Sequence, residues 1–213
     1  MLKANKRTLI VTSIVTVLPT LAGVLLWSRL PDPMATHFGT SGQADGFSSR
    51  TIAVFGLPLL LLGIEWLMAL VTSHDPRKQN ISPKLITLVL WLVPVISVVT
   101  SAMMYAYNLG YATGGIFAAE LLLGVIFIVT GNYLPKARQN YTIGIRLPWT
   151  LANEENWNRT HRLAGFLWVA GGIVSLAAAL TGLVKAEWLI GVFAVMALVP
   201  CVYSFLLHVR RGL

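Results

Sequence analysis

Two carboxylates stand inside apolar stretches of the sequence, where acidic side chains are rare. Glu65 lies in LLLGIEWLMAL and Glu120 lies in GIFAAELLLG. Because an ionised, unpaired carboxylate is unstable in a bilayer, both side chains are expected to face the protein interior. Each can bind a proton or a ligand, or be a neutral carboxyl that is hydrogen-bonded to a kinked helix. For Glu65 both interpretations are open, since Pro58 on nearly the same face frees a backbone carbonyl, whereas for Glu120 the structural interpretation is favoured.

The sequence GIRLPWTLANEENWNRTHRLAG, residues 144–165, is a dense polar segment between two apolar stretches. It contains two Trp, three Arg and one His among 22 residues. Thr150 or Asn153 can cap a helix whose first turn carries Glu154 and Glu155, where negative charge favours the helix dipole. That helix is predicted to continue without a break into the following apolar span.

One face of this helix combines aromatic, imidazole and small side chains. Trp157, His161 and Gly165 lie four residues apart and therefore on the same side. His161 could be the base of an enzyme that acts on lipid head groups. However, no nucleophile, metal-ligand set or second carboxylate converges near His161 in the sequence. We therefore predict no enzyme activity, no catalytic residue and no cofactor.

Two interpretations of this loop as a whole are open. As a membrane-surface brace, its tryptophans would join the aromatic belt at the bilayer interface, and its arginines would contact lipid phosphates. As a defined polar network, the loop would be structural or would bind a ligand or a partner, which accounts better for its Asn and His side chains. The residues predicted to contact a ligand or partner are Asn132, Asn140, Arg146, Trp149, Trp157 and His161.

A second distinctive loop, Arg29–Thr51, includes LPDPMATHFGTSGQADGF. Its Pro and Gly residues predict a compact loop built from turns. Asp32, His37 and Asp45 could converge on a cation, but their irregular spacing is a weak metal signal, so no metal is predicted. Alternatively, the two Asp could form turns and caps while His37 bonds a loop carbonyl, or the three could form a contact site for a molecule outside the cell. The candidate apolar anchors of the loop are Phe38 and Phe47.

The elements that must position these residues are predicted to be membrane-spanning helices. Only 11% of the 213 residues are charged, against about 25% in a soluble domain, and 56% are hydrophobic. Apolar windows of about 20 residues recur, and each can cross a bilayer as a helix. We therefore predict an all-α polytopic membrane protein that folds as one six-helix bundle over residues 1–213. The predicted spans are Thr8–Ser28, Ile52–Thr72, Leu85–Tyr107, Gly115–Leu134, Leu163–Val184 and Trp188–Leu207.

Basic residues are distributed unequally between the two sides that this arrangement defines. Thirteen of the sixteen Lys and Arg fall on the side of both termini, and Arg29, Arg50 and Lys185 fall on the other. By the positive-inside rule, both termini are cytoplasmic, the 29–51 loop is extracytoplasmic and the 131–165 loop is cytoplasmic. Topology and contact with anionic lipids therefore explain the net charge of +8 without a direct nucleic-acid partner.

Two stretches of the sequence resemble a known family. The stretch GNYLPKARQNYTIGIRLPWTLANEENWNRTHRLAG, residues 131–165, looks like the signature of the SdpI family of bacterial membrane proteins. The stretch LPDPMATHFGTSGQADGF, residues 30–47, resembles the LPD…HF…G…D module that often lies near the N-terminus in that family. The motifs occur in the expected order within a six-span frame, and no substitution breaks either one.

The resemblance implies a function that the residues alone do not indicate. The founding type of the family is an immunity protein against a secreted peptide toxin, and it is also thought to hold a cytoplasmic transcriptional repressor at the membrane. By resemblance, this chain would be a multi-pass protein of the bacterial cell membrane whose partners are lipids, an extracytoplasmic toxin and a cytoplasmic repressor. The alternative is a small proton-coupled transporter or exporter that uses Glu65, although the sequence shows no repeat with paired broken helices.

The charge asymmetry yields a test of topology. Reporter fusions at Gln43, in the 29–51 loop, should report an extracytoplasmic position, and fusions at Asn153 should report a cytoplasmic one. Alkaline phosphatase, which is active outside the cytoplasm, and green fluorescent protein, which is active inside it, measure the two positions. Finding both positions on the same side would contradict the six-span topology.

Overall fold

The computed structural model describes residues 5–39, 42–111, 115–181 and 186–213. In these parts of the chain it contains seven α-helices and one two-stranded sheet. The elements are α1 (Lys6–Leu25), β1 (Met34–Phe38), β2 (Ala44–Ser48), α2 (Leu57–Ser73), α3 (Pro83–Asn108), α4 (Gly115–Tyr133), α5 (Pro148–Ala152), α6 (Glu154–Thr181) and α7 (Ala186–Arg211).

Six helices of the described chain are long and apolar enough to cross a membrane. The prediction of a polytopic helical membrane protein is therefore confirmed, whereas the side on which the termini lie stays a prediction. Pro135 lies two residues after Tyr133, the last residue of α4, as expected because proline cannot continue the hydrogen-bond pattern of a helix. The candidate spans are Lys6–Leu25, Ile52–Ser73, Pro83–Asn108, Phe117–Lys136, Glu154–Thr181 and Leu189–Arg211.

The chain divides into two compact units. The first unit comprises Met1–Leu70 and Thr87–Leu122, and the second comprises Val71–Ile86 and Leu123–Leu213. The first unit therefore contains α1, both strands and most of α2 and α3. The second contains the C-terminal part of α4 and all described residues that follow it. The prediction of a single membrane domain over residues 1–213 stays a prediction.

The first unit contains an antiparallel hairpin that the all-α prediction missed. Met34–Phe38 pairs with Ala44–Ser48, and Gly42 in the connection has a positive φ of 78°. Each strand has only five residues, so neither shows an alternation long enough to distinguish a strand from a loop built of turns. The described chain is therefore mainly helical, with one small sheet in its first long loop.

The hairpin is attached to α3 by a side chain that imitates a neighbouring strand. The Asn108 amide accepts a hydrogen bond from the Ala35 N–H at 2.8 Å and donates one to the Ala35 C=O at 2.9 Å. Phe38 adds an edge-to-face contact with Tyr107, with ring centroids 4.8 Å apart. Phe38 therefore anchors the hairpin to α3, whereas Phe47, the other candidate anchor, is 61% exposed. Contact of these rings with the membrane surface stays a prediction.

Arg50 fixes the base of the hairpin. Its Nη1 donates to the carbonyls of Trp27 at 2.7 Å and Leu30 at 3.1 Å, and its guanidinium lies 4.7 Å from the centre of the Trp27 ring. Asp32 accepts the Arg50 backbone N–H at 3.2 Å and lies 4.0 Å from the guanidinium. Asp32 therefore holds Arg50 from 18 residues away, and its predicted role in a contact site stays a prediction.

In the second unit, α4 and α6 are in close contact through four glycines. A Cβ added to Gly124 would lie 2.9 Å from the Gly172 carbonyl oxygen, and one added to Gly131 would lie 3.0 Å from that of Gly165. In the reverse direction, a Cβ on Gly172 or Gly165 would lie 2.7 Å from the opposite carbonyl oxygen. Small residues at such contacts let helices approach closely in a membrane. This seam positions the loop that joins the two helices.

Helix α6 begins where the sequence predicts. Asn153 Oδ1 accepts the N–H of Asn156 at 3.0 Å, and the helix then runs from Glu154 to Thr181 without a break. Thr150, the alternative cap, lies in α5, where its Oγ1 accepts the Leu147 N–H at 2.8 Å. From Glu154 onwards, the polar segment and the fifth span are therefore one continuous helix.

Candidate functional site

The loop between α4 and α6 contains a tight turn, residues 138–143, that is organised by the fully buried side chain of Asn140. Asn140 Oδ1 accepts the N–H groups of Thr142 at 2.9 Å and Ile143 at 2.7 Å. Asn140 Nδ2 donates to the carbonyls of Arg138 at 2.8 Å and Ile143 at 3.0 Å. One amide satisfies four backbone groups because it is both a donor and an acceptor. We refer to residues 138–143 as the Asn140 turn.

Asp75, in the loop before α3, holds the same turn from a second segment. It is 3% exposed, and its Oδ2 accepts the Tyr141 N–H at 2.9 Å and the Thr142 hydroxyl at 2.8 Å. Its Oδ1 accepts the Arg77 N–H at 2.7 Å. Sequence reasoning missed Asp75. The available signal was a single acidic residue in a loop whose other charged residues are basic.

Gln139 and Arg77 extend these contacts to α5. Gln139 Nε2 donates to the carbonyls of Thr150 at 2.7 Å and Leu151 at 3.0 Å. Its Oε1 accepts a hydrogen bond from Arg77, whose guanidinium also lies 5.1 Å from the centre of the Tyr141 ring. Side chains therefore cross-link the loop before α3, the Asn140 turn and α5 within the second unit.

Trp157 and His161 form a stacked pair on α6. Their ring centroids are 4.0 Å apart, and Trp157 is 0% exposed and His161 1% exposed. The Trp157 indole Nε1 donates to the Ala137 carbonyl at 2.7 Å. Trp157 is therefore a core residue and not a member of the aromatic belt at the bilayer interface, which corrects that interpretation. The predicted face that Trp157 shares with His161 and Gly165 is buried.

Both ring nitrogens of His161 are bonded to the backbone. Nε2 accepts the Ile145 N–H at 2.9 Å, so it carries no hydrogen. Nδ1 lies 2.8 Å from the Trp157 carbonyl, which can only accept. The hydrogen-bond pattern therefore assigns the neutral imidazole with its hydrogen on Nδ1. Because both ring nitrogens are already hydrogen-bonded to backbone groups, neither is available to take a proton from a substrate. His161 is therefore suited to positioning the loop and not to acting as a base.

Gly144 permits the contact between the loop and the imidazole. Its φ of 121° lies in a region that favours glycine. A Cβ at this position would also overlap with His161 Nε2 and would lie 3.1 Å from the Trp157 ring. Conformation and space therefore both require glycine here.

Asn156 forms a second buried polar contact, which sequence reasoning missed. Its Nδ2 donates to the Ser204 carbonyl of α7 at 3.0 Å, and its Oδ1 accepts the hydroxyls of Ser204 at 2.6 Å and Thr160 at 3.1 Å. All three residues are 0% exposed. The available signal was the spacing of Asn156 and Thr160, which lie four residues apart and next to Trp157 and His161.

The other predicted contact residues of the loop lie at or near the surface. Arg146 is exposed, and its Nη1 donates to the Tyr141 carbonyl at 3.1 Å. Asn132 is exposed on α4. Trp149 is half-buried, with its ring centroid 5.4 Å from that of Phe205 on α7. Of the six residues predicted here, three are therefore buried inside the loop, and three are available in part to other molecules.

On the hairpin, His37 and Asp45 form an exposed pair. His37 Nδ1 lies 2.5 Å from Asp45 Oδ1, and the two side chains are 75% and 54% exposed. Asp32 is bonded to Arg50 instead of joining this pair. Among the residues that the structure describes, no group of three or more His, Cys, Asp or Glu is placed to hold a metal ion. The hairpin therefore presents a polar surface on an anchored base.

Both intramembrane carboxyl groups are buried, as predicted. Glu65 is 1% exposed and is hydrogen-bonded to the hydroxyls of Thr12 and Thr16 on α1. These hydroxyls replace the kink carbonyl that the structural interpretation expected as its partner. The Val54 carbonyl, four residues before Pro58, instead accepts the hydroxyl of Thr20 on α1 at 3.2 Å. Glu120 is 8% exposed.

Comparisons with known proteins bear on both distinctive segments. Residues 136–204, which contain the Asn140 turn and the pair of Trp157 and His161, match the model of the SdpI/YfhL protein family. The resemblance to the SdpI family is confirmed. Residues 14–62, which contain the hairpin, match a domain of unknown function, DUF1648. The attribution of the N-terminal motif to the SdpI family stays a prediction.

The similarity to the SdpI family extends well beyond one segment. The chain is 26% identical to Immunity protein SdpI of Bacillus subtilis (strain 168) over 201 residues, which are 92% of this chain and 92% of that protein. No solved structure matches the chain. Together with the six apolar helices, this similarity shows a multi-pass protein of the bacterial cell membrane.

Adding one methyl group at Gly144 tests whether the His161 imidazole requires glycine at this position. Gly144→Ala should destabilise the protein by about 2 kcal/mol, because it adds backbone strain and a clash with His161. For a chain of this length, the melting temperature of the purified protein in detergent should fall by about 4–8 °C. Gly63→Ala is the control, since a Cβ at Gly63 has no neighbouring atom within 4 Å. Equal melting temperatures for the two variants would contradict the assigned role of Gly144.

Proposed function

We propose that this chain is an integral membrane immunity protein that protects a bacterial cell against a secreted peptide toxin. The observation that carries the proposal is the similarity to Immunity protein SdpI over 92% of both chains. A similarity of this extent cannot be confined to one loop or one helix. In the proposed orientation, the hairpin lies outside the cytoplasm and the Asn140 turn lies inside it, as the charge asymmetry predicts.

The hairpin is the proposed contact surface for the toxin. Its base is fixed by Asn108, which bonds the backbone of β1, and by the guanidinium of Arg50. Its outer part presents His37, Asp45 and Phe47, which combine polar, acidic and aromatic surface. A rigid base with exposed side chains suits recognition, because less conformational entropy is lost on binding.

The loop around the Asn140 turn is the proposed contact surface for a cytoplasmic repressor. Its surface carries Arg146 together with Lys136 and Arg138, all exposed, and Asn132 on the adjoining helix. The half-buried Trp149 is the aromatic member of this surface. The buried residues Asn140, Trp157 and His161 support the surface from inside, and we propose that they act through it and not by direct contact.

The remaining functional expectations follow from the same proposal. The exposed basic side chains also suit contact with anionic membrane lipids. The commitment of both His161 nitrogens to the backbone gives no support to an enzyme, and we propose neither a cofactor nor a direct nucleic-acid partner. The matched family and relative do not favour the alternative of a proton-coupled transporter.

A survival assay tests the proposed function and the role of the hairpin together. Expression of the chain in a toxin-sensitive strain should raise survival in the presence of the toxin. The double variant His37→Ala/Asp45→Ala should lose most of this protection with little change in protein level, because an exposed ion pair contributes only about 0–1 kcal/mol to stability. Survival and the amount of protein in the membrane fraction are the two measurements.

Phe38→Ala is the matched control for a folding defect. It removes the edge-to-face contact between Phe38 and Tyr107, so it should lower the amount of protein and protection together. If the unaltered chain gives no protection, the immunity function is refuted. If the double variant protects as well as the unaltered chain at equal protein level, the hairpin pair has no part in toxin recognition.

A further inference from the structure

The first unit encloses a carboxyl group that the proposed function does not use. Glu65 on α2 is 1% exposed, and its partners on α1, Thr12 and Thr16, are both 0% exposed. The two threonines lie four residues apart, so their hydroxyls project from the same side of α1. One carboxyl oxygen contacts the Thr12 hydroxyl, and the other lies 2.7 Å from Thr16 Oγ1.

Each threonine hydroxyl has one hydrogen but more than one acceptor within reach. Thr12 Oγ1 lies 3.0 Å from the Thr8 carbonyl, and Thr16 Oγ1 lies 2.9 Å from the Thr12 carbonyl. A carboxylate at Glu65 would require both hydrogens to point towards it. A carboxylic acid would donate its own hydrogen to one hydroxyl, which then donates to its helix carbonyl, while the other hydroxyl donates to the acid C=O. The cluster therefore accommodates a proton and places each of its three hydrogens in a hydrogen bond.

In the part of the chain that the structure describes, the hydrogen-bonding groups around Glu65 are neutral. They are Thr12 and Thr16 from α1 and, behind them, Ser97 from α3, which donates to the Thr16 carbonyl at 2.7 Å. Tyr105, a titratable residue of α3, donates its hydroxyl to the carbonyl of Pro19 on α1 at 3.1 Å. Within the described chain, Glu65 forms no ion pair. A carboxylate among apolar helices is costly when no cation is paired with it, and hydroxyl donors compensate only in part.

We infer that Glu65 is a proton-binding site that is filled while α1 and α2 are in contact. The proton removes the charge from the apolar unit and makes the carboxyl a hydrogen-bond donor to a threonine. Release of the proton requires water at the cluster, and therefore separation of α1 from α2. Because α1 precedes the hairpin and α2 follows it, the site links proton binding to the pairing of the two helices that carry the hairpin. This inference does not depend on the immunity function.

Infrared difference spectroscopy tests the protonation of Glu65 directly. The full chain and its Glu65→Gln variant are compared at neutral pH in vesicles of phosphatidylethanolamine and phosphatidylglycerol. The variant should lose one C=O band of a carboxylic acid and no carboxylate band. Glu154→Gln, at an exposed position, is the control and should lose carboxylate bands. Loss of carboxylate bands from Glu65→Gln would overturn the inference.

A second measurement uses the unaltered chain and does not depend on the folding of a variant. N,N′-dicyclohexylcarbodiimide adds to a protonated carboxyl group: the carboxyl oxygen bonds to the central carbon, the hydrogen moves to a nitrogen, and no group leaves. Peptide mass spectrometry should find the adduct on Glu65 and none on Asp75, a buried carboxyl that accepts two N–H groups and a hydroxyl. Absence of the adduct from Glu65, or equal labelling of both residues, would overturn the inference.

Discussion

A stretch of chain that is neither helix nor strand must still find a hydrogen-bond partner for each N–H and C=O group that it withdraws from water. In the Asn140 turn, side chains supply these partners: Asn140 bonds four backbone groups from inside, and Asp75 bonds the Tyr141 N–H from another loop. The Ile145 N–H is bonded by His161, whose other nitrogen is held by its own helix. The loop is therefore fixed to α6, and we expect its exposed surface to move together with that helix.

The same constraint shapes the first unit. The outer edge of β1 would leave the Ala35 N–H and C=O unpaired, and the Asn108 amide bonds both. Glu65 brings a carboxyl group among apolar helices, and two threonines of α1 supply its hydrogen bonds. Polar side chains thus hold the hairpin and the helix pair that carries it. This arrangement suits a protein that we propose to present one defined surface outside the membrane and another inside it.

The parts of this structure that depend on periodicity and composition were predictable from the sequence. Six apolar stretches predicted the spans, and Asn153 with the acidic residues after it predicted the start of α6. The parts that depend on contacts between distant segments were not. Asp75 bonds Thr142 across 67 residues, and no local pattern indicates such a pair. The residue type of Trp157 suggested the bilayer interface, whereas its tertiary contact with Ala137 places it in the core.

Amide hydrogen exchange in the loop tests the central claim, that side chains make the Asn140 turn a rigid extension of α6. The N–H groups of Tyr141, Thr142, Ile143 and Ile145 belong to neither helix nor strand, yet each is bonded to a buried side chain. The account predicts that these amides exchange about as slowly as those of α6 beyond its first turn, and that Asp75→Ala accelerates the exchange of Tyr141 first. Exchange of all four amides at the rate of an unstructured peptide in the unaltered protein would contradict it.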